Sequence, residues 1–126
     1  MRALPPYAQT LGIEPIQLDG ERLYLMPFGD TVLGRPGFLH GGAIAGLLEL
    51  AAIGTLLRQL DDENARVKPI NMSVSFMRGG TEQDTFAAAT VTRIGSRVAN
   101  VEAHAWQQDR SRPIAAAQLN LLVRRP

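Results

Sequence analysis

Residues 38–60 read FLHGGAIAGLLELAAIGTLLRQL, the most extended apolar stretch of this 126-residue chain. The part from Gly42 to Leu60 predicts one long helix. Between Ala43 and Leu57 only Glu49 and Thr55 are clearly polar, and a helix that is apolar on all sides is buried on all sides. One sheet from so short a chain covers part of such a helix. We therefore expect a second copy of the chain to cover the rest.

The sequence on both sides of this helix predicts antiparallel strands. In Ile70–Phe76 apolar and polar residues alternate strictly, which is typical of a half-buried strand. Val98–Trp106 alternates in the same way, with one small apolar face (Ala99, Val101, Ala103, Ala105) and one polar face (Asn100, Glu102, His104). The remaining predictions are a short helix at Pro6–Leu11, strands at Ile13–Leu18, Arg22–Met26, Thr85–Ile94 and Ile114–Val123, and a loop at Pro27–Leu39. This order favours an α+β fold in a single domain over residues 1–126, with the long helix packed on an antiparallel sheet.

Composition excludes several classes of protein. Thirteen basic and twelve acidic residues give a formal charge of +1, unlike the dense basic face of a nucleic-acid-binding protein. Cysteine is absent and histidine occurs twice, so we expect no disulfide framework, no metal site and no metal cofactor. The N-terminus lacks the apolar run of a signal peptide, and no stretch has about 20 uninterrupted apolar residues. We expect a cytoplasmic protein without a membrane partner.

Glu49 is an unusual residue for the middle of this helix. Its neighbours three, four and seven positions away are all uncharged: Gly42, Ala45, Gly46, Ala52, Ile53 and Leu56. No salt bridge along the helix is available to it, and carboxylates in apolar surroundings concentrate at functional sites. The alternatives are a narrow solvent-facing stripe or a pairing with an arginine of the sheet.

The start of the helix, His40-Gly41-Gly42, is the second candidate site. Unpaired backbone N–H groups and the positive end of the helix dipole bind anions there, although two glycines also fit an ordinary loop-to-helix junction. His40 fits a cap or a packed imidazole as well as a base. Gly41 and Glu49 are eight residues apart, about 12 Å along a helix. One helix cannot present both to a single carbonyl, whereas two antiparallel helices of a symmetric dimer can.

These residues resemble the hotdog-fold acyl-CoA thioesterases of the phenylacetic-acid-degradation type, which are related to one class of 4-hydroxybenzoyl-CoA thioesterase. The resemblance rests on His40-Gly41-Gly42 followed, after six residues, by Glu49. It extends over nearly the whole chain and includes Gly37, the strand 71–78 before Gly79-Gly80, and the turn 93–97. It implies one long central helix wrapped by an antiparallel sheet, and a homodimer or dimer of dimers with its active site at the dimer interface.

The same resemblance implies hydrolysis of an acyl-CoA to free acid and CoA without a cofactor. The Gly41 amide, alone or with that of Gly42, then serves as oxyanion hole. Glu49 acts as general base or as nucleophile, and His40 shapes the helix start. The implied substrate-binding residues are Gly34, Gly37, Arg78, Gly95, Ser96 and Arg97, of which Arg78 and the 95–97 turn lie near the CoA phosphates and pantetheine arm.

The chain departs from this family at Gly34. The family commonly carries Asn or Gln six residues before the histidine, and no amide side chain occurs here between Asp19 and His40. We expect modest hydrolysis, and an increase in kcat for Gly34→Asn. A non-catalytic acyl-CoA-binding protein is the alternative from another class. A hotdog hydratase is a weaker one, because it needs a histidine well before the helix and none precedes His40.

Overall fold

The computed structural model describes residues 3–126. Its elements in chain order are α1 (Tyr7–Leu11), β1 (Glu14–Leu18), β2 (Glu21–Met26), α2 (Gly41–Leu60), β3 (Arg66–Phe76), β4 (Thr85–Ile94), β5 (Val98–Trp106) and β6 (Ala115–Arg124). One 3-10 turn, Asp30–Val32, lies in the loop before α2. The expected α+β order is confirmed, with β4 and β5 at the predicted bounds.

The six strands form one antiparallel sheet in the order β1-β2-β4-β5-β6-β3. Strands β4, β5 and β6 are successive hairpins, whereas β3 crosses to the far side of the sheet and pairs with β6 alone. Helix α2 contacts every strand from β2 to β6. The sheet therefore wraps around the helix, and β1 and β3 are its two edges.

Strand β3 begins at Arg66, four residues before the predicted Ile70. Pro69 masked this extension in the sequence, because proline lacks the N–H that a central strand needs. On an edge strand that loss is tolerated, and the register with β6 shifts between Pro69 and Asn71. The result is an eleven-residue edge strand.

Helix α2 is covered in part by its own chain. Ten of its twenty residues are buried, packed against the inward side chains of the sheet and against α1. A Cβ on Gly46 would lie 2.8 Å from Leu11 Cδ1, so α1 packs closely on the helix. Gly42 is exposed and Ala45 and Glu49 are half-buried, so the expectation that a second copy of the chain covers the rest of the helix stays a prediction.

By length and composition α2 could also cross a membrane, but 61% of its most apolar 18-residue window is buried inside the protein. Its apolar character is explained by this packing, since a core helix needs the same composition.

The two faces of the sheet differ as the alternation in β5 predicts. The side chains of Ala99, Val101, Ala103 and Ala105 are buried against α2, and the polar side chains of β5 lie on the outer face. There Asn120 bonds to Asn71 of β3 at 2.9 Å and to Asn100 of β5. The functional residues of the helix side are thus separated by the sheet from this polar face.

Candidate functional site

The start of α2 is held by its own histidine. His40 is the N-cap residue in extended conformation, and its Nδ1 accepts the N–H of Gly42 at 2.8 Å. Its own N–H donates to Val32 O at 2.8 Å, and the N–H of Leu39 donates to Gly80 O at 2.9 Å. His40 is therefore a helix cap, one of the two structural roles that the sequence left open.

The capping leaves one amide of the first helical turn available. Within residues 3–126 the exposed N–H of Gly41 has no hydrogen-bond partner, whereas that of Gly42 is taken by His40. This free N–H stands at the positive end of a twenty-residue helix, where a partial negative charge is stabilised. Of the two amides considered as oxyanion donors, the structure leaves Gly41 accessible.

An aromatic surface borders this amide. The ring of Phe76, at the end of β3, lies 3.6 Å from the position that a Cβ on Gly41 would take, and the residue is 55% exposed. Phe38, on the incoming loop, is also exposed and packs over Gly79. A group bound at the Gly41 amide would therefore contact apolar side chains as well as a hydrogen-bond donor.

Glu49 lies in the middle of α2 and is half-buried. Among the described residues its carboxylate has no hydrogen bond and no ion pair, so a pairing with an arginine of the sheet is not observed. Neither Glu49 nor Gly41 is a lining residue of five cavities on residues 3–126. At about 12 Å along one helix, the two groups do not meet in the single chain.

The loop before α2 explains Gly34 without reference to catalysis. Its N–H donates to Phe38 O at 2.9 Å, and a Cβ on Gly34 would lie 2.9 Å from His40 Cα. That contact is with backbone, which a rotamer change cannot relieve. Gly37 in the same loop has φ +88, a conformation that favours glycine. An asparagine at position 34 would have to move His40, which is a steric argument against the variant, and the expected increase in kcat stays a prediction.

The two arginines assigned to the substrate lie at opposite ends of the sheet. Arg78 follows the end of β3, and its Nη1 donates to Pro113 O at 3.1 Å. Arg97 directly precedes β5. The first residue of β5 pairs with the same residue of β6, Leu122, as Lys68 near the start of β3 does. Eleven residues of β3 span roughly 36 Å. The structure therefore brings Arg78 near the start of α2 and places Arg97 far from both within one chain.

The turn at 95–97 belongs to a basic cavity, of which the sequence predicted only the residues of this turn. The cavity, about 530 Å³, is lined by Ser96, Arg97, Leu122, Val123, Arg124 and Arg125. Gly95 closes the turn through its N–H to Val98 O at 2.8 Å, and Arg125 bonds to Ser96 O at 3.2 Å. The register of β6 with β5 brings Arg124 and Arg125 to this cavity. The sequence analysis did not predict that the two strands pair in this way. Guanidinium groups in this arrangement suit phosphate.

A third polar cluster lies on the outer face of the sheet, away from α2. Arg110 makes a bidentate ion pair with Glu21 at 2.7 and 2.9 Å, stacks over Trp106, and donates to His104 Nε2 at 3.2 Å. Burial, followed by the charge of Arg110, lowers the pKa of His104. No group of three or more metal-ligating side chains is found in residues 3–126.

Comparison with known proteins agrees with this architecture. A family model described as the Thioesterase superfamily matches residues 36–114. A Chromobacterium violaceum protein is 34% identical over 93% of this chain and 82% of its own, with a TM-score of 0.73. A Bacillus halodurans protein solved with CoA (24%, 94% and 75%, TM-score 0.80) and a phenylacetic acid degradation-related protein from Ralstonia eutropha (23%, 96% and 92%, TM-score 0.79) share the fold. No curated protein matches the chain.

A long central helix wrapped by a six-stranded antiparallel sheet defines a protein of the hotdog fold. The family match covers more than half of the chain and includes the His40-Gly41-Gly42 start and Glu49. The chain belongs to the thioesterase superfamily, and family and fold together support thioester hydrolysis as its general activity.

Proposed function

We propose that this protein is an acyl-CoA thioesterase whose active site is completed by two copies of the chain. The observation that carries the proposal is the exposed N–H of Gly41 at the start of the core helix, which has no hydrogen-bond partner among residues 3–126. This amide would donate to the thioester oxygen as negative charge develops on it. Glu49 of the second copy would activate water or attack the carbonyl itself.

The edge strand β3 supports the second copy. Its outer edge, eleven residues long, has no partner strand in the described part of the single chain, and Ile70 is 54% exposed on it. Long unpaired edges are templates for pairing with another chain. A two-fold axis through β3 would run two copies antiparallel and make a self-complementary interface. Each sheet would then continue into the other.

The same two-fold arrangement would also reunite the separated arginines. Antiparallel β3 strands place the start of one beside the end of the other. The basic cavity at Arg97 of one copy would thus approach the end of the sheet that holds Gly41 and Arg78 of the other. We infer that the phosphates of CoA bind at this junction, a ligand that the Bacillus halodurans relative contains. The aromatic border at Phe76 would contact the thioester arm.

Complementation between two inactive variants tests the shared site. Gly41→Pro removes the amide, and Glu49→Gln removes the carboxylate. If each site draws the two groups from different chains, a mixed dimer holds one intact site, and an equimolar mixture recovers about a quarter of wild-type activity. If one chain supplies both groups, no mixed dimer has an intact site and activity stays at the background of the single variants.

Sedimentation of the wild-type chain at micromolar concentration is the companion measurement. A stable monomer would remove the two-chain site, and hydrolysis by that monomer would require another arrangement of the same groups.

Glu49→Gln also separates an enzyme from a binding protein: it should abolish release of CoA while leaving the affinity for acyl-CoA close to wild type.

A further inference from the structure

A second cavity lies on the helix side of the sheet, between the N-terminal segment and the second half of α2. We call it the N-terminal cavity. Its volume is about 360 Å³, and its apolar walls are Leu4, Pro5, Ala8, Ile13, Pro15 and Leu57. This volume lies within the range of small-molecule pockets. Glu49 and the start of α2 do not line it, so it is separate from the residues of the proposed active site.

One end of the N-terminal cavity is polar. Arg22 and Tyr24, which are hydrogen-bonded to each other, form this end, and Gln9 also lines the cavity. The Tyr24 hydroxyl is hydrogen-bonded to Thr55 and Arg22, and it sits directly on the helix backbone at Gly54. A Cβ on Gly54 would collide with that hydroxyl. The glycine is therefore what allows the phenol to reach the wall of the cavity.

The charge at this end is positive. Arg22 also lines a neighbouring cavity, where Arg58 and Glu21 are found. Glu21 is engaged on the outer face by both terminal nitrogens of Arg110. No acidic residue lines the N-terminal cavity itself. Burial raises the pKa of the Tyr24 phenol, which favours its neutral form beside Arg22.

From these features we propose that the N-terminal cavity binds a small monocarboxylic acid. Its apolar body would lie among Leu4, Ala8 and Leu57, and its carboxylate would meet the guanidinium of Arg22. Apolar walls with a single cationic end fit one carboxylate at the end of a hydrocarbon or aryl group. The same chemistry describes the free acid that thioester hydrolysis releases, although binding here does not depend on that activity.

Binding of octanoate to the full chain, followed by calorimetry and by ¹H–¹⁵N NMR, tests the proposal. The backbone amides of Gly54 and Leu57 should shift saturably. Octanamide, which has the same body without the charge, should bind at least about tenfold more weakly. Arg22→Gln should weaken octanoate binding by a similar factor, whereas Arg58→Gln, at a residue that lines the neighbouring cavity and not this one, should change it by less than about threefold.

A second variant protects the test against misfolding of Arg22→Gln. Leu57→Trp fills the cavity from the half-buried surface of the helix and should abolish the octanoate shifts in a folded protein. The proposal is overturned if octanoate and octanamide bind equally, or if no saturable shift occurs at Gly54. Shifts confined to Gly41 and Glu49 would overturn it too. Because no readout is hydrolytic, an inactive protein leaves this test intact and only the proposed function fails.

Discussion

Replacing Gly41 by proline deletes a single hydrogen-bond donor at the point where the proposed mechanism needs it. Gly41 is the first residue of α2, a position at which proline is favoured because its missing N–H has no helical partner. The preceding residue, His40, is already extended with ψ 131, as a residue before proline prefers to be. Phe76 at 3.6 Å from the Cβ position allows ordinary contact.

The amide of Gly41 makes no hydrogen bond within the described residues, so its loss should change the free energy of unfolding by less than about 1 kcal/mol. Catalysis should respond very differently. Removal of one oxyanion donor lowers kcat about 10²- to 10³-fold, or about 2.7–4 kcal/mol of transition-state stabilisation. The large kinetic effect and the small thermodynamic one together identify the amide as an oxyanion donor.

The assay is release of the CoA thiol from a panel of short, medium, long and aromatic acyl-CoA substrates. Gly41→Ala is the matched control, because it adds a similar Cβ and keeps the N–H. Thermal unfolding of both variants confirms that they fold. A Gly41→Pro variant that folds and keeps more than about a tenth of wild-type kcat retains all but ~1.4 kcal/mol of the stabilisation. That result would refute the assignment of this amide to the oxyanion.

Three further outcomes follow from the structure. Gly34→Ala should lower the free energy of unfolding by about 1–3 kcal/mol, because its Cβ would press on the backbone of His40. Gly29→Ala, whose Cβ lies in open space, should leave the free energy of unfolding nearly unchanged. Equal denaturation midpoints for the two variants would contradict this steric argument. The pKa of His104 is lowered in the folded protein because the residue is partly buried. The contribution of His104 to the free energy of unfolding should therefore be complete above about pH 6.5 and be lost as the pH falls. Urea titrations should show a weaker dependence of the free energy of unfolding on pH for His104→Gln. Arg97→Gln should raise KM for acyl-CoA with little effect on kcat. If the variant and the wild type have the same KM at low salt, a contact between Arg97 and a phosphate is excluded.

Regular alternation made the strands predictable, and packing between distant segments limited the rest. In β5 every second side chain is small and apolar, so both its face and its bounds could be predicted from the sequence. The start of β3 could not be predicted, because a proline such as Pro69 argues against a central strand but is tolerated in an edge strand. Only the pairing with β6, about fifty residues away, decides that.

The candidate site shows the same limit. The eight-residue spacing between Gly41 and Glu49 is a property of any helix, so the sequence could predict two separate half-sites. The steric role of Gly34 was hidden, because it depends on the approach of His40, six residues later, through a loop with no repeating pattern. Which of two adjacent amides is free also depends on one side-chain bond, from Gly42 to His40.

The crossing of β3 to the far edge of the sheet has a consequence for folding during synthesis. This strand pairs only with β6, so it emerges from the ribosome well before its partner exists. Throughout that interval the apolar face of α2 lacks part of its cover, and β3 has both edges open. Long-range pairing of this kind is slow and exposes aggregation-prone surface. The nascent chain is therefore most vulnerable to misassociation in the window before residues 115–124 are made, and chaperone binding should concentrate there.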